Sequence, residues 1–402
     1  MMDRNGFRDR FIERIESMRY PRIHLAIDNC FASKRYTHPS EWAKVIRELG
    51  LTYVEASADN ECDPMYMGGE YLSWWAGEVK KAMAEHGVIV ANLYSGHGTY
   101  ATLGLAHTHP IVRDRFLNNW LKPMAKTAAS VGAGLGFFCH AFTDSVLQDP
   151  ARYKEFEATL YKDLAELAAY GKAENLGVLG VEQMYTPHQI PWTVEGAEKL
   201  LREVYRIGGA PFYLTVDVGH MNGQRKFVRP SADRLSELFV RHREGDALPE
   251  LWLGPEKAVK LFESADTLPL DELNAIMDEY PHMFAPAEDG DPYHWLERLG
   301  GFSPIIHLQQ ADGKSSPHWA FTKENNARGI VEPEKVLAAI KRHYDSQPDD
   351  SLPPLLPDLY LTIEVFTGTA DLNRAVLQRI RESVEYLRKY IPEDGLTLDK
   401  LV

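Results

Sequence analysis

Eight short apolar runs, separated by helix-like stretches, constrain the fold of this 402-residue chain more than any other feature. The runs are RIHLAIDN, LTYVEAS, GVIVANLY, GAGLGFFCH, LGVLGVEQM, FYLTVDVGH, PIIHLQQAD and LYLTIEVF, starting near positions 23, 52, 88, 133, 177, 212, 304 and 359. Helical patterns lie between them, for example at 38–49, 72–86, 114–130, 153–172, 194–207, 333–344 and 371–390. Apolar strands joined by helical crossovers are typical of a buried parallel sheet. Eight such units predict a closed (β/α)8 barrel, the TIM-barrel fold; an open doubly wound sheet is less favoured, because no GxGxxG follows the first run.

The segment between the sixth and seventh runs is the longest of the connections. It contains an insertion at about 222–290, with helical patterns of its own at 232–243 and near 255–263. A loop that leaves the C-terminal end of a barrel strand lies over the mouth of the barrel, so we expect a lid or a dimer arm here. Because no linker divides the chain, we predict one domain over residues 1–402.

Charge and cysteine content exclude several classes of protein. The chain has 44 Lys and Arg against 58 Asp and Glu, a net charge of −14, which disfavours nucleic acid and acidic membrane surfaces as partners. Its cysteines, Cys30, Cys62 and Cys139, have no CxxC spacing, so neither a disulfide framework nor a cysteine zinc site is indicated. The charged N-terminus has no signal-peptide pattern, and no apolar run is long enough for a membrane span. We therefore expect a cytoplasmic protein, with homo-oligomerisation left open.

Polar residues at the ends of the last four runs are the strongest indication of chemistry. They are Glu182 on the fifth run, Asp217 and His220 on the sixth, His307 and Gln309 on the seventh, and Glu364 on the eighth. Catalytic residues of a barrel lie at the C-terminal ends of its strands, and several carboxylates in apolar strands need a shared cation or donor network. An oxygen-rich set with one amide or imidazole suits Mn²⁺, Mg²⁺ or Co²⁺. We predict one bound divalent ion, with Mn²⁺ first and Zn²⁺ as a further alternative.

The motifs VEQM, DVGH, HLQQ and IEVF resemble those of the xylose-isomerase-like TIM barrels, especially the sugar epimerases of the D-tagatose 3-epimerase type. The resemblance implies that Glu182, Asp217 and Glu364 are metal ligands and that His220 contacts a substrate oxygen. Those epimerases have HxH on strand seven, where this chain has His307, Leu308 and Gln309. Gln309 then takes the place of the second, metal-binding His and coordinates through its amide oxygen, while His307 faces the substrate. Whether His307 or Gln309 binds the metal directly is left open.

The implied function is a metal-dependent isomerase or epimerase of a monosaccharide or sugar phosphate. Glu182 and Glu364 would act as base and acid in proton transfer beside a carbonyl, through an enediolate. A hydride shift between adjacent carbons would use the metal as a Lewis acid in the same way and is left open. The first four strands should add substrate contacts. The candidates are His97, His140, Glu55 and Asp59, with Trp74 and Trp75 assigned to helix packing instead.

Two other motifs receive structural interpretations. Lys314, Lys323 and Arg328 follow strand seven, where barrels commonly bind phosphate, but no glycine-rich cradle accompanies them, so a solvated loop is favoured. The sequence His-Thr-His at 107–109 precedes Pro110, and this order predicts a helix N-terminus rather than a metal pair.

Other functions compete with the isomerase. A carbohydrate lyase or hydrolase could use the same metal site, because fold does not fix the reaction. An apurinic-type endonuclease shares the barrel, but would need a basic groove. The set of strand-end acids disfavours a non-catalytic sugar-binding barrel.

Overall fold

The structure, a computed structural model, describes residues 19–33, 35–57, 61–95, 104–139 and 141–402. Its eight parallel strands are β1 (Arg22–Asp28), β2 (Tyr53–Ser57), β3 (Ile89–Ser95), β4 (Gly134–Phe137), β5 (Leu179–Glu182), β6 (Tyr213–Asp217), β7 (Ile305–Leu308) and β8 (Asp358–Ile363). Each strand pairs with the next, and β1 pairs with both β8 and β2, so the sheet closes on itself. The predicted closed (β/α)8 barrel is confirmed.

Helices surround the barrel. Those that precede β6 are α1 (Pro39–Glu48), α2 (Pro64–His86), α3 (Pro110–Phe116), α4 (Lys122–Val131), α5 (Asp144–Leu147), α6 (Pro150–Ala173) and α7 (Val194–Gly208). Those after β6 are α8 (Met221–Gln224), α9 (Ala232–Arg243), α10 (Glu256–Ser264), α11 (Leu270–Asp278), α12 (Pro292–Leu299), α13 (Lys323–Asn326), α14 (Pro333–Asp345) and α15 (Asn373–Leu387). A ninth strand, β9 (Leu396–Thr397), pairs antiparallel with the start of β1.

Local sequence signals fix where several helices begin and end. Pro39 and Pro333 stand in the first turns of α1 and α14, and the Thr193 side chain accepts a hydrogen bond from Gly196 N at the start of α7. Gly209 ends α7 with a φ of 59°, a left-handed conformation that costs glycine little. His109 caps α3 by accepting from Ile111 N, so the structural interpretation of His-Thr-His is confirmed.

The connection between β6 and β7 contains the two predicted helices and three more. The expected patterns at 232–243 and 255–263 correspond to α9 and α10, whereas α8, α11 and α12 were not predicted. Helices α9, α10 and α11 share a small apolar core separate from that of the barrel, made of Leu235, Leu238, Phe239, Leu248, Leu253, Ala258, Phe262, Leu273 and Met277. The last helix, α12, returns to the barrel and packs against α14.

The insertion is attached to the loop that follows β4. Tyr280 donates its hydroxyl proton to Gln148 O at 3.2 Å, and a ring nitrogen of His282 lies 2.8 Å from Leu147 O. Its role as lid or dimer arm stays a prediction. In the part of the chain that the structure describes, no helix combines the length and apolarity needed to cross a membrane.

Candidate metal centre

The barrel brings the predicted acids together beneath a cavity at the C-terminal ends of its strands. Glu182 and Asp217 are the last residues of β5 and β6, Glu364 follows β8 directly, and His307 lies within β7. Their side chains are buried, with 4% of Glu182, 3% of Glu364 and none of Asp217 or His307 exposed. Three carboxylates from three strands therefore meet around one imidazole.

His307 occupies the base of this cluster. Its Nε2 lies 2.7 Å from Glu55 Oε2, and its Nδ1 lies 3.1 Å from Glu182 Oε1 and 3.4 Å from Glu364 Oε2. Burial lowers the pKa of His307, but Glu364, Glu55 and Glu182 outweigh it and hold this pKa well above its ordinary value. Since both ring nitrogens face carboxylates, His307 carries a proton on each and supplies positive charge beneath the acids.

Glu55 lies beside His307, not at the mouth of the barrel. Its side chain has no exposed surface, and Asn92 Nδ2 donates to its Oε1 at 2.6 Å. The prediction that Glu55 contacts substrate is therefore wrong. Glu55 is the middle residue of β2 and not its last, so its side chain lies inside the barrel beneath the mouth.

Asp217 is the most heavily bonded of the acids. Its Oδ1 accepts from Gly219 N at 2.6 Å and His220 N at 3.2 Å, and Gln309 Nε2 lies 2.8 and 2.9 Å from its two oxygens. Burial raises the pKa of Asp217, but His220, His318 and His307 outweigh burial and keep it below its ordinary range. Asp217 is therefore held ionised.

Gln309 presents its amide nitrogen, and not its oxygen, to Asp217. The amide oxygen accepts from His318 N at 2.7 Å and from the Ser316 hydroxyl at 3.2 Å. Reversing the amide would set its NH₂ group against the His318 N–H, two donors facing each other. The geometry thus does not favour the predicted role of Gln309 as an oxygen ligand.

His318 is a member of the cluster that sequence reasoning missed. It lies in the loop after β7, with its Nε2 3.3 Å from Glu364 Oε2 and 3.6 Å from Asp217 Oδ2. Its ring stacks on Phe366 with centroids 3.8 Å apart. Burial lowers the pKa of His318, but Glu364 and Asp217 raise it to about 10 in the absence of a metal. No spacing signal marked this residue, because a loop, and not a strand register, carries it to the site.

Glu182 is oriented by a residue two strands away in the barrel. The Tyr94 hydroxyl on β3 donates to Glu182 Oε2, while His307 holds the other oxygen. Burial, followed by the charge of Glu182, raises the pKa of Tyr94 well above its usual range, so the hydroxyl remains a donor. One carboxylate is thereby fixed by two donors.

A cavity of about 380 Å³ opens above the acids. It is lined by Tyr94, Phe138, Glu182, Met184, Tyr185, His220, Ser316, Pro317, His318, Glu364 and Phe366. His220 stands in this wall as predicted for a substrate contact, with its Nδ1 donating to Gln183 O at 2.8 Å. His307 lies beneath the cavity without reaching it. A larger groove of about 660 Å³, between α6 and the insertion, is lined by none of these acids.

The remaining predicted residues lie elsewhere. His97, His140 and Asp59 fall outside the described residues. Lys314, Lys323 and Arg328 do not line the cavity, and the lining formed by the described residues contains neither lysine nor arginine. Trp75 is buried, as helix packing predicts, whereas Trp74 is 47% exposed.

The donor set fits a divalent cation. Glu182, Asp217 and His307 form one buried group whose possible ligand atoms lie within 4.8 Å of one another, and Asp217, His220 and His318 form another. Glu364 Oε2 is buried without a hydrogen-bond partner among the described residues, although it faces two imidazoles at 3.3 and 3.4 Å. Two atoms that bind one ion at about 2.1 Å are themselves roughly 3.0 to 3.4 Å apart. Buried oxygens at such spacing suit a hard cation.

Comparisons with known proteins agree with this architecture. The family model for xylose isomerase-like TIM barrels matches residues 43–243. A candidate xylose isomerase from Rhodospirillum rubrum ATCC 11170 superposes with a TM-score of 0.66 at 20% identity, over 91% of this chain and 99% of that one. A structure of L-ribulose 3-epimerase has a TM-score of 0.52 at 13% identity, over 92% of this chain and 93% of that one. At these identities the likeness shows the fold alone.

One curated relative matches a short stretch. The D-erythrulose 1-phosphate 3-epimerase of Brucella abortus (strain 2308) is 40% identical over 55 residues, which make up 14% of this chain. The matched stretch covers 18% of that protein's length.

Proposed function

Because this chain belongs to the xylose isomerase-like TIM barrel family, we propose that it is a metal-dependent isomerase or epimerase of a monosaccharide or its phosphate. The observation that carries the proposal is the convergence of Glu182, Asp217 and Glu364 from three strands beneath one cavity. The names of two similar proteins, an epimerase of a phosphorylated ketose and an epimerase of a ketose, support the substrate class.

Glu182, Asp217 and Glu364 would hold the ion, with Mn²⁺ as the first candidate for an oxygen-rich set. When bound, such an ion polarises neighbouring carbonyl and hydroxyl oxygens of a sugar and stabilises the negative charge that develops when a carbon-bound proton leaves. Asp217 stays ionised at the base of the site, and His307 balances the acids from below.

The residues of the cavity wall would handle the substrate and its proton. Glu182 and Glu364 both line the cavity, so one can take the proton beside the carbonyl and the other can return it. The Tyr94 hydroxyl keeps Glu182 in one orientation while the proton moves. The Nδ1–H of His220 is bound to Gln183 O, which leaves Nε2 to bind a sugar oxygen.

Two features of the cavity bear on the sugar. Phe138, Tyr185 and Phe366 give it apolar walls, which suit the C–H faces of a carbohydrate. The described lining carries no lysine or arginine to bind a phosphate group. The test therefore compares each free sugar with its phosphate.

The test is conversion of a panel of aldoses, ketoses and their phosphates by the Mn²⁺-loaded protein in deuterated water, followed by NMR. Product that carries deuterium beside the carbonyl supports proton transfer, and product without label supports a hydride shift or a shielded proton. No conversion of any sugar would overturn the proposal.

Variants connect this activity to the residues. Glu182→Gln and Glu364→Gln should each lower turnover at least ~100-fold while the protein stays folded, because each loses a carboxylate that would bind the ion and transfer the proton. His109→Ala serves as the control and should retain activity, since His109 only caps α3. Full activity in either glutamine variant would remove that residue from the mechanism.

A further inference from the structure

We infer that the loop after β7 supplies a fourth ligand of the metal centre, His318, and that Gln309 is the positioning residue that holds this ligand against Asp217. The inference rests on the proposed function, because it assigns further residues to the same ion. It differs from the sequence-based expectation, in which the amide oxygen of Gln309 was itself the ligand.

The hydrogen bonding of His318 indicates which ring nitrogen is free to bind. Its Nδ1 lies 3.1 Å from Ser316 O, and a carbonyl oxygen can only accept, so Nδ1 carries the proton. In the neutral ring, Nε2 then presents its lone pair to Glu364 Oε2 at 3.3 Å and to Asp217 Oδ2 at 3.6 Å. A lone pair that faces two carboxylates is repulsive, so this nitrogen holds a proton when the metal is absent, and a bound cation would take the place of that proton. Metal-binding histidines commonly donate their second ring N–H to a carbonyl in this way.

His307 differs from His318 in that carboxylates face both of its ring nitrogens, at 2.7 Å for Glu55 and 3.1 Å for Glu182. Each carboxylate stabilises a proton on the nitrogen that it faces, whereas only Nε2 of His318 faces carboxylates. His307 therefore acts as the buried cation beneath the site, and His318 is the better nitrogen ligand.

Gln309 links the loop after β7, which carries His318, to Asp217. Its Nε2 lies 2.8 Å from Asp217 Oδ1, and its Oε1 accepts from His318 N at 2.7 Å. His318 has a φ of 50°, in the left-handed region that non-glycine residues seldom occupy. Such a conformation persists only where the surroundings impose it, and the Gln309 bond and the Phe366 stack do so here.

The backbone of His318 guides the choice of variant. Asparagine tolerates the left-handed region better than most residues, so His318→Asn preserves the loop while its shorter side chain cannot reach the acids. Gln309→Leu keeps comparable bulk and removes both hydrogen bonds. His188→Asn is the matched control, because its Nδ1 also bonds a backbone carbonyl, Phe142 O at 2.8 Å, but it does not line the cavity.

The first measurement is Mn²⁺ affinity of each variant by competition with a chelator. His318→Asn should weaken binding at least ~10-fold and Gln309→Leu about 10-fold, as expected for a ligand and for the residue that positions it. His188→Asn should bind as tightly as the wild type.

The second measurement begins with the wild-type protein alone. Electron spin-echo modulation of Mn²⁺ in the wild-type protein should detect a directly bound imidazole nitrogen, and this signal should vanish in His318→Asn. Absence of the nitrogen signal in the wild type, or its persistence in His318→Asn, would overturn the inference.

These outcomes are separable from failure of the proposed function. If the wild type binds no Mn²⁺, the proposed function fails with the inference. If the wild type binds Mn²⁺ and Asp217→Asn loses it, while His318→Asn keeps wild-type affinity, the inference alone fails.

Discussion

At the scale of single residues, charge balance decides how this site can exist inside a barrel. Glu55, Glu182, Asp217 and Glu364 are all buried, and ionised carboxylates are costly to bury without partners. His307 contacts Glu55 and Glu182 directly and lies 3.4 Å from Glu364. One fully buried imidazolium thus balances the negative charge of acids on several strands.

Removing this imidazolium should destabilise the metal-free protein. We predict that His307→Gln lowers the free energy of unfolding by about 3 to 5 kcal/mol, because it leaves buried carboxylates uncompensated. The measurement is urea denaturation of chelator-treated protein. His343→Gln is the control and should cost about 1 to 2 kcal/mol, since His343 is also buried but bonds the carbonyl Glu297 O. Equal losses in the two variants would contradict the charge-balancing role.

A further buried acid, Glu61, predicts a pH dependence outside the proposed metal centre. Burial raises its pKa to about 7, although hydrogen bonds from Trp42, Trp75 and Asn29 oppose the rise. Tyr71 is a neighbouring titratable group. Burial raises the pKa of Tyr71, and the negative charge of Glu61 raises it further. Glu61 is therefore protonated in the folded chain at pH values where it is ionised in the unfolded chain.

The sign of the effect follows from proton binding. Between pH 4.5 and 7 the folded state binds more protons at Glu61, so stability should fall as pH rises, by a total on the order of 3 kcal/mol. Glu61→Gln should remove this part of the slope in urea titrations between pH 4.5 and 8. The exposed Glu250→Gln should keep the wild-type slope. An unchanged slope in Glu61→Gln would refute the assignment.

At the scale of elements, the sequence predicted the strands far better than the loops. The expected starts near 212 and 304 lie within one residue of Tyr213 and Ile305, because buried strands read as continuous apolar runs. Glu182, Asp217 and Glu364 could be found because strand ends define the rim of a barrel. His318 could not, since its place depends on the path of a loop and on its bond to Gln309. The amide orientation of Gln309 likewise depends on that loop.

The helices of the insertion form an element with its own core. Phe262 on α10 is fully buried and packs edge to face with Phe239 on α9, at 5.4 Å between ring centroids. This cluster shares no buried member with the barrel core. We therefore expect that a mutation in the core of the insertion destabilises the insertion without weakening metal binding at the proposed site.

Phe262→Ala tests that independence. It should cost the insertion about 3 to 5 kcal/mol through the cavity it leaves, and hydrogen exchange should accelerate in peptides from 232–278 while Mn²⁺ affinity stays unchanged. Phe212→Ala, in the barrel core, is the comparison. It should speed hydrogen exchange of the barrel amides and also weaken Mn²⁺ binding. A fall in Mn²⁺ affinity in Phe262→Ala would show that the two cores are coupled.

At the scale of the whole molecule, closure of the sheet is what creates the site. The acids lie on β5, β6 and directly after β8, far apart in sequence, and the pairing of β5 through β8 brings these strand ends together. Because β8 pairs with β1 and β1 pairs with β2, Glu55 on β2 also comes within 2.7 Å of His307 on β7. An open sheet would spread the same strand ends along an edge. The family-wide barrel explains the convergence, while the residues at the rim determine the chemistry.

The most direct test is the stoichiometry of Mn²⁺ binding to chelator-stripped protein, measured by isothermal titration for the wild type and for Asp217→Asn. We predict one ion per wild-type chain and at least ~100-fold weaker binding in Asp217→Asn, since Asp217 is the buried, ionised acid at the centre of the cluster. A wild-type chain that binds no divalent ion, or an Asp217→Asn variant that binds as tightly as the wild type, would contradict the metal centre.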